Sequence, residues 1–309
     1  MTTPGIPNEF SLSTTCFGTR LTSIQDQIFA AVGMGFRRLE LGLAESPASM
    51  DGLLESQRET GVTIPSLVAG CRDPLNGSMA VDRLSSLDPV LRERALNAVR
   101  RHERLARTWG CRTLVVRGSR IEDPVLSRRA RALERRLAER HTEPDPALLR
   151  EDVRDFVKEV ARQGHHQAQE FCRSLHTLLC EVPDVKLALE PGRHIDDLLC
   201  FDVMGWVLDD LAPRGLSYWH DVGYIHARES LGLPDQGMWL EAYGQHMAGI
   251  HLQDAADAET EMPVGLGEVD FHLLREYVPR GAERVVEIGP CHGRAEILSS
   301  VQFLVEHGF

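Results

Sequence analysis

Residues 216–223 read LSYWHDVG, an apolar run that ends on His220 and Asp221 before a glycine. Ending a hydrophobic strand on ionisable groups sets charge beside the core, which is costly unless the charge is paired or used. The arrangement recurs. KLALEPG (186–192) ends on Glu190, MAGIHLQD (247–254) carries His251 towards its end, and RVVEIG (284–289) reaches Glu287. Four earlier segments also read as strands: FSLSTTCF (10–17), FRRLELGL (36–43) with Leu39, Leu41 and Leu43 at period two, VTIPSLVAG (62–70) and RTLVVRGS (112–119).

Helical patterns separate these runs. They cover 21–35, 50–61, 91–110 with Gly110 suited to a C-terminal cap, 202–211 and 295–308. Eight strands alternating with helices predict parallel βαβ units, and 309 residues suit one α/β domain, a (β/α)₈ TIM barrel spanning 1–309. A doubly wound open sheet would carry a glycine-rich phosphate loop after its first strand, and CFGTRLTS has one glycine. The stretch of about 120–180, between strands four and five, exceeds an ordinary crossover. It reads as an extended helical insertion, VLSRRARALERRLAERH (125–141) and a second run from Ala147 to Cys180 parted by PDP (144–146). A solvated Arg/Glu face is the plain reading of this insertion; a subunit contact in a homo-oligomer, or a lid over the barrel mouth, is the functional one.

Composition narrows the classes of function. With 34 Lys+Arg against 46 Asp+Glu the net charge is −12, which argues against nucleic acid as a partner. No run has the ~18 apolar residues of a membrane span. Seven cysteines at 16, 71, 111, 172, 180, 200 and 291 form no C-x-x-C pair, as in a reducing compartment, and MTTPGIPNEF has neither a basic start nor an apolar stretch. A cytoplasmic location is expected.

In such barrels chemistry sits at the C-terminal strand ends, which here offer Glu190, Asp221, His251 and Glu287 from four neighbouring strands. Each alone has a structural explanation, as a salt-bridge partner, a helix cap or a core histidine. Together, three carboxylates in one pocket repel one another, and a divalent metal ion is the simplest compensation. Three oxygen ligands and an imidazole suit Mn²⁺ or Mg²⁺, with Zn²⁺ or Fe²⁺ as alternatives.

The chain resembles the xylose-isomerase-like TIM barrels, the sugar phosphate isomerase/epimerase group, over nearly its whole length. The resemblance rests on LELGL (39–43), LALEP (187–191), YWHDVG (218–223), GIHLQDA (249–255), PVGLGEVDF (263–271) and VVEIG (285–289). It implies that Glu190, Asp221, His251 and Glu287 hold the metal, with Val222-Gly223 the turn by which the chain leaves the mouth. His220, adjacent to Asp221 on an extended strand, points to the opposite face and is expected to support or pack. Three positions depart from the family: Tyr224 stands where many relatives have a substrate-contacting histidine, with His226 two residues later; Asp257 replaces the epimerases' arginine; Gln253 replaces the second histidine of H-L-H-D.

The resemblance implies a metal-dependent isomerase or epimerase acting on a small sugar or sugar-like polyol through an enediolate, with Glu190 and Glu287 moving the proton. A lyase or dehydratase on an inosose- or dehydroshikimate-type keto-polyol is the alternative enzyme, and a sugar- or metal-binding barrel without turnover the alternative of another class. Glu40, Arg117, Arg193, Tyr224, His226 and Arg294 are candidate substrate contacts, as are His194 and His292; surface ion pairs are the competing role for the loop residues, and pairing with Arg38 or another basic residue for Glu40. Trp219 and Trp239 could wall the pocket or pack in the core. Cys16, Cys71 and Cys291 fall near strand ends, with buried packing their default role.

Overall fold

Eight parallel strands close on themselves in the computed structural model, which describes residues 5–43, 48–70, 80–139, 143–182 and 184–309. They are β1 (Phe10–Ser13), β2 (Arg38–Leu41), β3 (Thr63–Val68), β4 (Thr113–Arg117), β5 (Lys186–Glu190), β6 (Ser217–Asp221), β7 (Met247–Leu252) and, last round the barrel, β10 (Glu283–Val286), which pairs with β1. An antiparallel pair, β8 (Asp254–Ala256) and β9 (Glu259–Met262), lies between the last two barrel strands. The (β/α)₈ fold read from the sequence is the observed fold; the β8–β9 hairpin, whose short strands show little apolar alternation, is additional to that reading.

Register fixes the height of the functional groups. Arg117 pairs with Glu190, Asp221 with His251, Ser13 with Glu40, and Glu40 with Ser66. Two residues earlier on the same face stand Val115, Ala188, Trp219, Gly249 and Val285, and Val68, Val115, Ala188, Trp219, Ala248 and Val285 form a buried apolar cluster. Trp219 takes up much of that space. A Cβ at Gly249 would overlap its ring, so this strand position accepts only glycine without a shift. The opposite strand faces, with residues such as Leu12, Leu39, Leu41, Leu114 and Ile250, pack against the helical layer in the main core.

That layer comprises α1 (Ile24–Met34), α2 (Leu53–Thr60), α3 (Pro89–Thr108), α4 (Pro124–Ala138), α5 (Pro146–Gln163), α6 (His165–Glu181), α7 (Phe201–Leu211), α8 (Val222–Glu229), α9 (Gln236–Tyr243), α10 (Phe271–Tyr277) and α11 (Arg294–Glu306). α3, α4 and α5 start alike, an aspartate (88, 123, 145) accepting two backbone N–H bonds ahead of a proline in the first turn.

Among its described residues the segment from 120 to 180 holds three α-helices, not two, because the second helical run breaks at Gly164, where a Cβ would crowd Val160 O and Leu198. α6 buries Ala168, Phe171, Leu175 and Leu178 in the main core. α4 and α5 instead build a separate cluster around Leu126, Leu149, Val153 and Phe156, joined by Ile195 and Leu198 from the loop after β5. No helix among the described residues is long and apolar enough to cross a membrane.

Candidate metal centre

Three strand ends bring carboxylates to one imidazole nitrogen at the end of a fourth. Nδ1 of His251 lies 2.8 Å from Glu190 Oε1, 3.1 Å from Glu287 Oε2 and 3.9 Å from Asp221 Oδ2. All four residues are at most 1% exposed. Gln253 fixes Asp221 from behind, its Nε2 donating to Oδ1 at 2.9 Å, and the backbone N–H of Tyr224 donates to the same oxygen at 3.1 Å. Asp221 therefore caps α8, which begins at Val222 where the sequence suggested a turn; Gly223 is required there because a Cβ would overlap Gln253.

The electrostatics are those of a strongly coupled cluster. Burial disfavours charge on His251, but Glu287, Glu40 and Glu190 outweigh it and hold the imidazole well above the ordinary histidine range. Burial would raise Glu190, yet Arg117 and His251 pull it well below the usual carboxylate range. Glu287 is likewise lowered against burial, by His251, Arg193 and Arg117. Asp221 is the exception: burial and the neighbouring Glu190 push it up to about 8.

These residues fit a divalent cation. Ligand atoms of Glu190, Asp221 and His251 lie within 4.8 Å of one another, and so do those of Glu40, His251 and Glu287. The first grouping is the better one, extended by Glu287. Among the described residues, Asp221 Oδ2 and Glu287 Oε2 are buried without a hydrogen-bond partner and both face Nδ1, whereas Glu40 already bonds the other ring nitrogen. In a six-coordinate shell with bonds of ~2.1 Å, adjacent ligand atoms sit about 3 Å apart, close to the shorter of the spacings found. One nitrogen and three carboxylate oxygens suit a hard or borderline ion.

Among the other expected contacts, Glu40 is fully buried, accepts from Ser66 Oγ at 2.9 Å and lies 2.9 Å from His251 Nε2. It is a positioning group for the imidazole and does not pair with Arg38, which bonds Glu283. Arg117 Nε donates to Glu190 Oε2 at 2.5 Å. Arg193 reaches Glu287 Oε1 at 3.4 Å and Glu261 Oε1 at 3.1 Å, its guanidinium 4.2 Å from the Tyr224 ring centroid. Tyr224 OH donates to Glu261 at 3.0 Å. His226 sits 3.8 Å from Glu268. Arg294 points elsewhere, donating to Gly33 O at the end of α1, because it opens α11 on the outside of the barrel.

Glu261 is the participant that the sequence reading lacked. It sits on β9 with φ 61°, a left-handed backbone held by its N–H to Gln253 Oε1 (2.5 Å) and its C=O to Gly289 N (2.7 Å). Only the hairpin brings it over the mouth, so no strand-end rule could have found it. His220 bonds Tyr218 and Gln236 on the outer face, and burial lowers it to about 4. His194 bonds Glu134. Trp239 packs with Phe201, Tyr218 and Tyr243, while Trp219 meets His251 edge to face. Cys16 is buried against Val286 O and Ile288 N, Cys291 is exposed, and Cys71 lies outside the described residues.

No protein-family model matches the chain, and no curated protein sequence does. Solved structures match by shape. A 3-keto-D-glucoside 4-epimerase from E. coli superposes with a TM-score of 0.62 at 14% identity, covering 97% of this chain and 100% of that one. A D-allulose 3-epimerase from Methylomonas sp. gives 0.65 at 15%, covering 98% and 99%. A xylose isomerase-like TIM barrel protein from Mycobacterium smegmatis, in complex with magnesium, gives 0.55 at 13%, covering 96% and 95%. At such identities the likeness is one of fold, a (β/α)₈ barrel.

Proposed function

We propose that the chain is a divalent-metal-dependent isomerase or epimerase of a sugar or sugar-like polyol. The observation that carries this reading is the convergence of three carboxylate oxygens on His251 Nδ1 at the C-terminal mouth of the barrel. Proteins of the same fold that are sugar epimerases, and one that binds magnesium, support it. Mn²⁺ or Mg²⁺ suits the donor set first, Zn²⁺ or Fe²⁺ second.

A cation held by Glu190, Asp221, His251 and Glu287 would supply positive charge beside the hydroxyl and carbonyl oxygens of a bound sugar, lowering the cost of removing the proton between them. The chain's own groups do the rest. Glu190 and Glu287 are held ionised, the state from which a base must start, and they enter from strands on either side of β6 and β7. One takes the carbon-bound proton and the other returns it, to the neighbouring carbon for isomerisation or to the opposite face for epimerisation. Glu40 and Ser66 keep the imidazole oriented, Gln253 keeps Asp221 turned inwards, and Tyr224 with Arg193 covers the mouth against water.

The test is metal analysis of the purified protein, followed by incorporation of deuterium from D₂O into candidate ketoses. About one equivalent of metal and exchange at a carbon next to the carbonyl are expected, with exchange falling ~10²–10⁴-fold in Glu287→Gln. A protein that takes up none of the four metals and exchanges no proton overturns the reading.

A further inference from the structure

We propose that the substrate of this site is an acidic polyol whose carboxylate lies within one or two carbons of the carbon that loses its proton, and that Arg117 and Arg193 hold that carboxylate. The inference rests on the metal-dependent reading above and narrows it to a substrate class. Arg117 comes from the end of β4 and Arg193 from the loop after β5, yet both reach one oxygen: Glu287 Oε1 is 3.6 Å from Arg117 Nη2 and 3.4 Å from Arg193 Nη2. Two guanidinia gathered on one carboxylate oxygen repel each other. Each also keeps a buried donor unused: Arg117 Nη2 and Arg193 Nε have no hydrogen-bond partner among the described residues. One unused donor on each of two guanidinia that share Glu287 Oε1 would give a carboxylate two charge-assisted bonds, a better match than a neutral hydroxyl makes with two cations.

Charge points the same way. Once a dication sits among Glu190, Asp221 and Glu287, it takes over the pairing of those carboxylates, and the two guanidinia that now serve them are freed for an anion. Position then selects the anion. Both arginines touch the carboxylates that would hold the cation, so the anionic group must lie next to the chelated oxygens, as in a 2-hydroxy or 2-keto acid. A sugar phosphate carries its charge at the far end of the chain. Arg193 is also pre-positioned, stacked on Tyr224 and bonded to Glu261, which reduces the ordering cost of binding.

The experiment compares three probes by calorimetry on the Mn²⁺-loaded protein: gluconate, the neutral polyol glucitol, and glucose 6-phosphate. Gluconate is expected to bind at least tenfold more tightly than glucitol, and Arg117→Met and Arg193→Met each to remove most of that preference while Mn²⁺ still binds. Arg193→Lys should retain part of it. Equal binding of gluconate and glucitol, a gluconate preference unchanged in both Met variants (chelation alone), or a preference for glucose 6-phosphate would each overturn the proposal. If the Met variants do not fold, Arg193→Lys carries the test, and a gluconate preference unchanged in that variant overturns the proposal. Failure of the parent reading shows separately, as absence of Mn²⁺ binding in the first titration; the same probes on metal-free protein then test the arginine pair.

Discussion

Glu40 and His251 meet across the interior of the barrel, from β2 and β7, with 2.9 Å between Oε1 and Nε2, so that the other ring nitrogen is turned towards the three converging carboxylates. A carboxylate behind a ligating histidine fixes its tautomer and raises its basicity. Glu40→Leu should therefore weaken metal binding by about 10–100-fold while the metal-free protein stays folded. Competition with a chelator of fixed affinity measures this; an unchanged affinity would mean that Glu40 does not orient the ligand.

The second prediction concerns pH. Folded Asp221 releases its proton only at about 8, against an unfolded value near ~3.9, so the metal-free protein takes up a proton on folding across that window. Its contribution to stability is complete below ~4 and is lost as pH rises towards 8. His251 acts in the same direction above ~6.5, since its folded value is raised. Glu190 and Glu287 are ionised in both states there and add no slope. A cation must displace the protons on Asp221 and His251, so the rise in Tm on adding Mn²⁺ should grow from pH 6 to pH 8.5, with proton release in calorimetry. A Tm shift independent of pH would contradict this charge assignment.

A packing prediction is independent of metal. In Gly249→Ala the new methyl group overlaps the Trp219 ring beneath His251. Overpacking of this kind costs about 1–3 kcal/mol, readable in urea unfolding. Because the displaced ring touches the imidazole, metal affinity should fall with it. A variant as stable as the parent would mean that Trp219 has room to move.

Tyr224→Phe removes the hydroxyl that bonds Glu261 and leaves the Arg193 stack in place. The loss of stability should be about 1 kcal/mol or less, that of one partly exposed hydrogen bond. Glu261→Gln should lower affinity for substrate more than the maximal rate, because it holds Arg193 without facing the metal ligands. Steady-state kinetics separates the two; a drop in kcat at constant KM would assign Glu261 to the chemical step.

The barrel and its four converging side chains were legible because strand length, apolar alternation and a polar terminus coincide at Glu190, Asp221, His251 and Glu287. In a parallel barrel those termini share one rim. Glu40 was visible as a residue but not as the partner of His251, since their pairing depends on how closely β2 and β7 approach across the barrel, with β1 and β10 between them in the sheet. Glu261 was out of reach: a hairpin with a left-handed residue carries it over the mouth, and neither feature has an apolar signature. The break at Gly164 was hidden because α5 and α6 continue one another in sequence while packing on different cores.

The separate apolar cluster under α4 and α5 includes Ile195 and Leu198, from the same loop as Arg193. Two helices that an eight-strand barrel does not require thus pack on the loop that carries Arg193. Changes at Val153 or Phe156 would shift the setting of Arg193 through that loop while leaving the strand register alone, and under the proposed function they would alter substrate affinity. Divergence in selectivity among chains built this way could accumulate on the outside of the molecule.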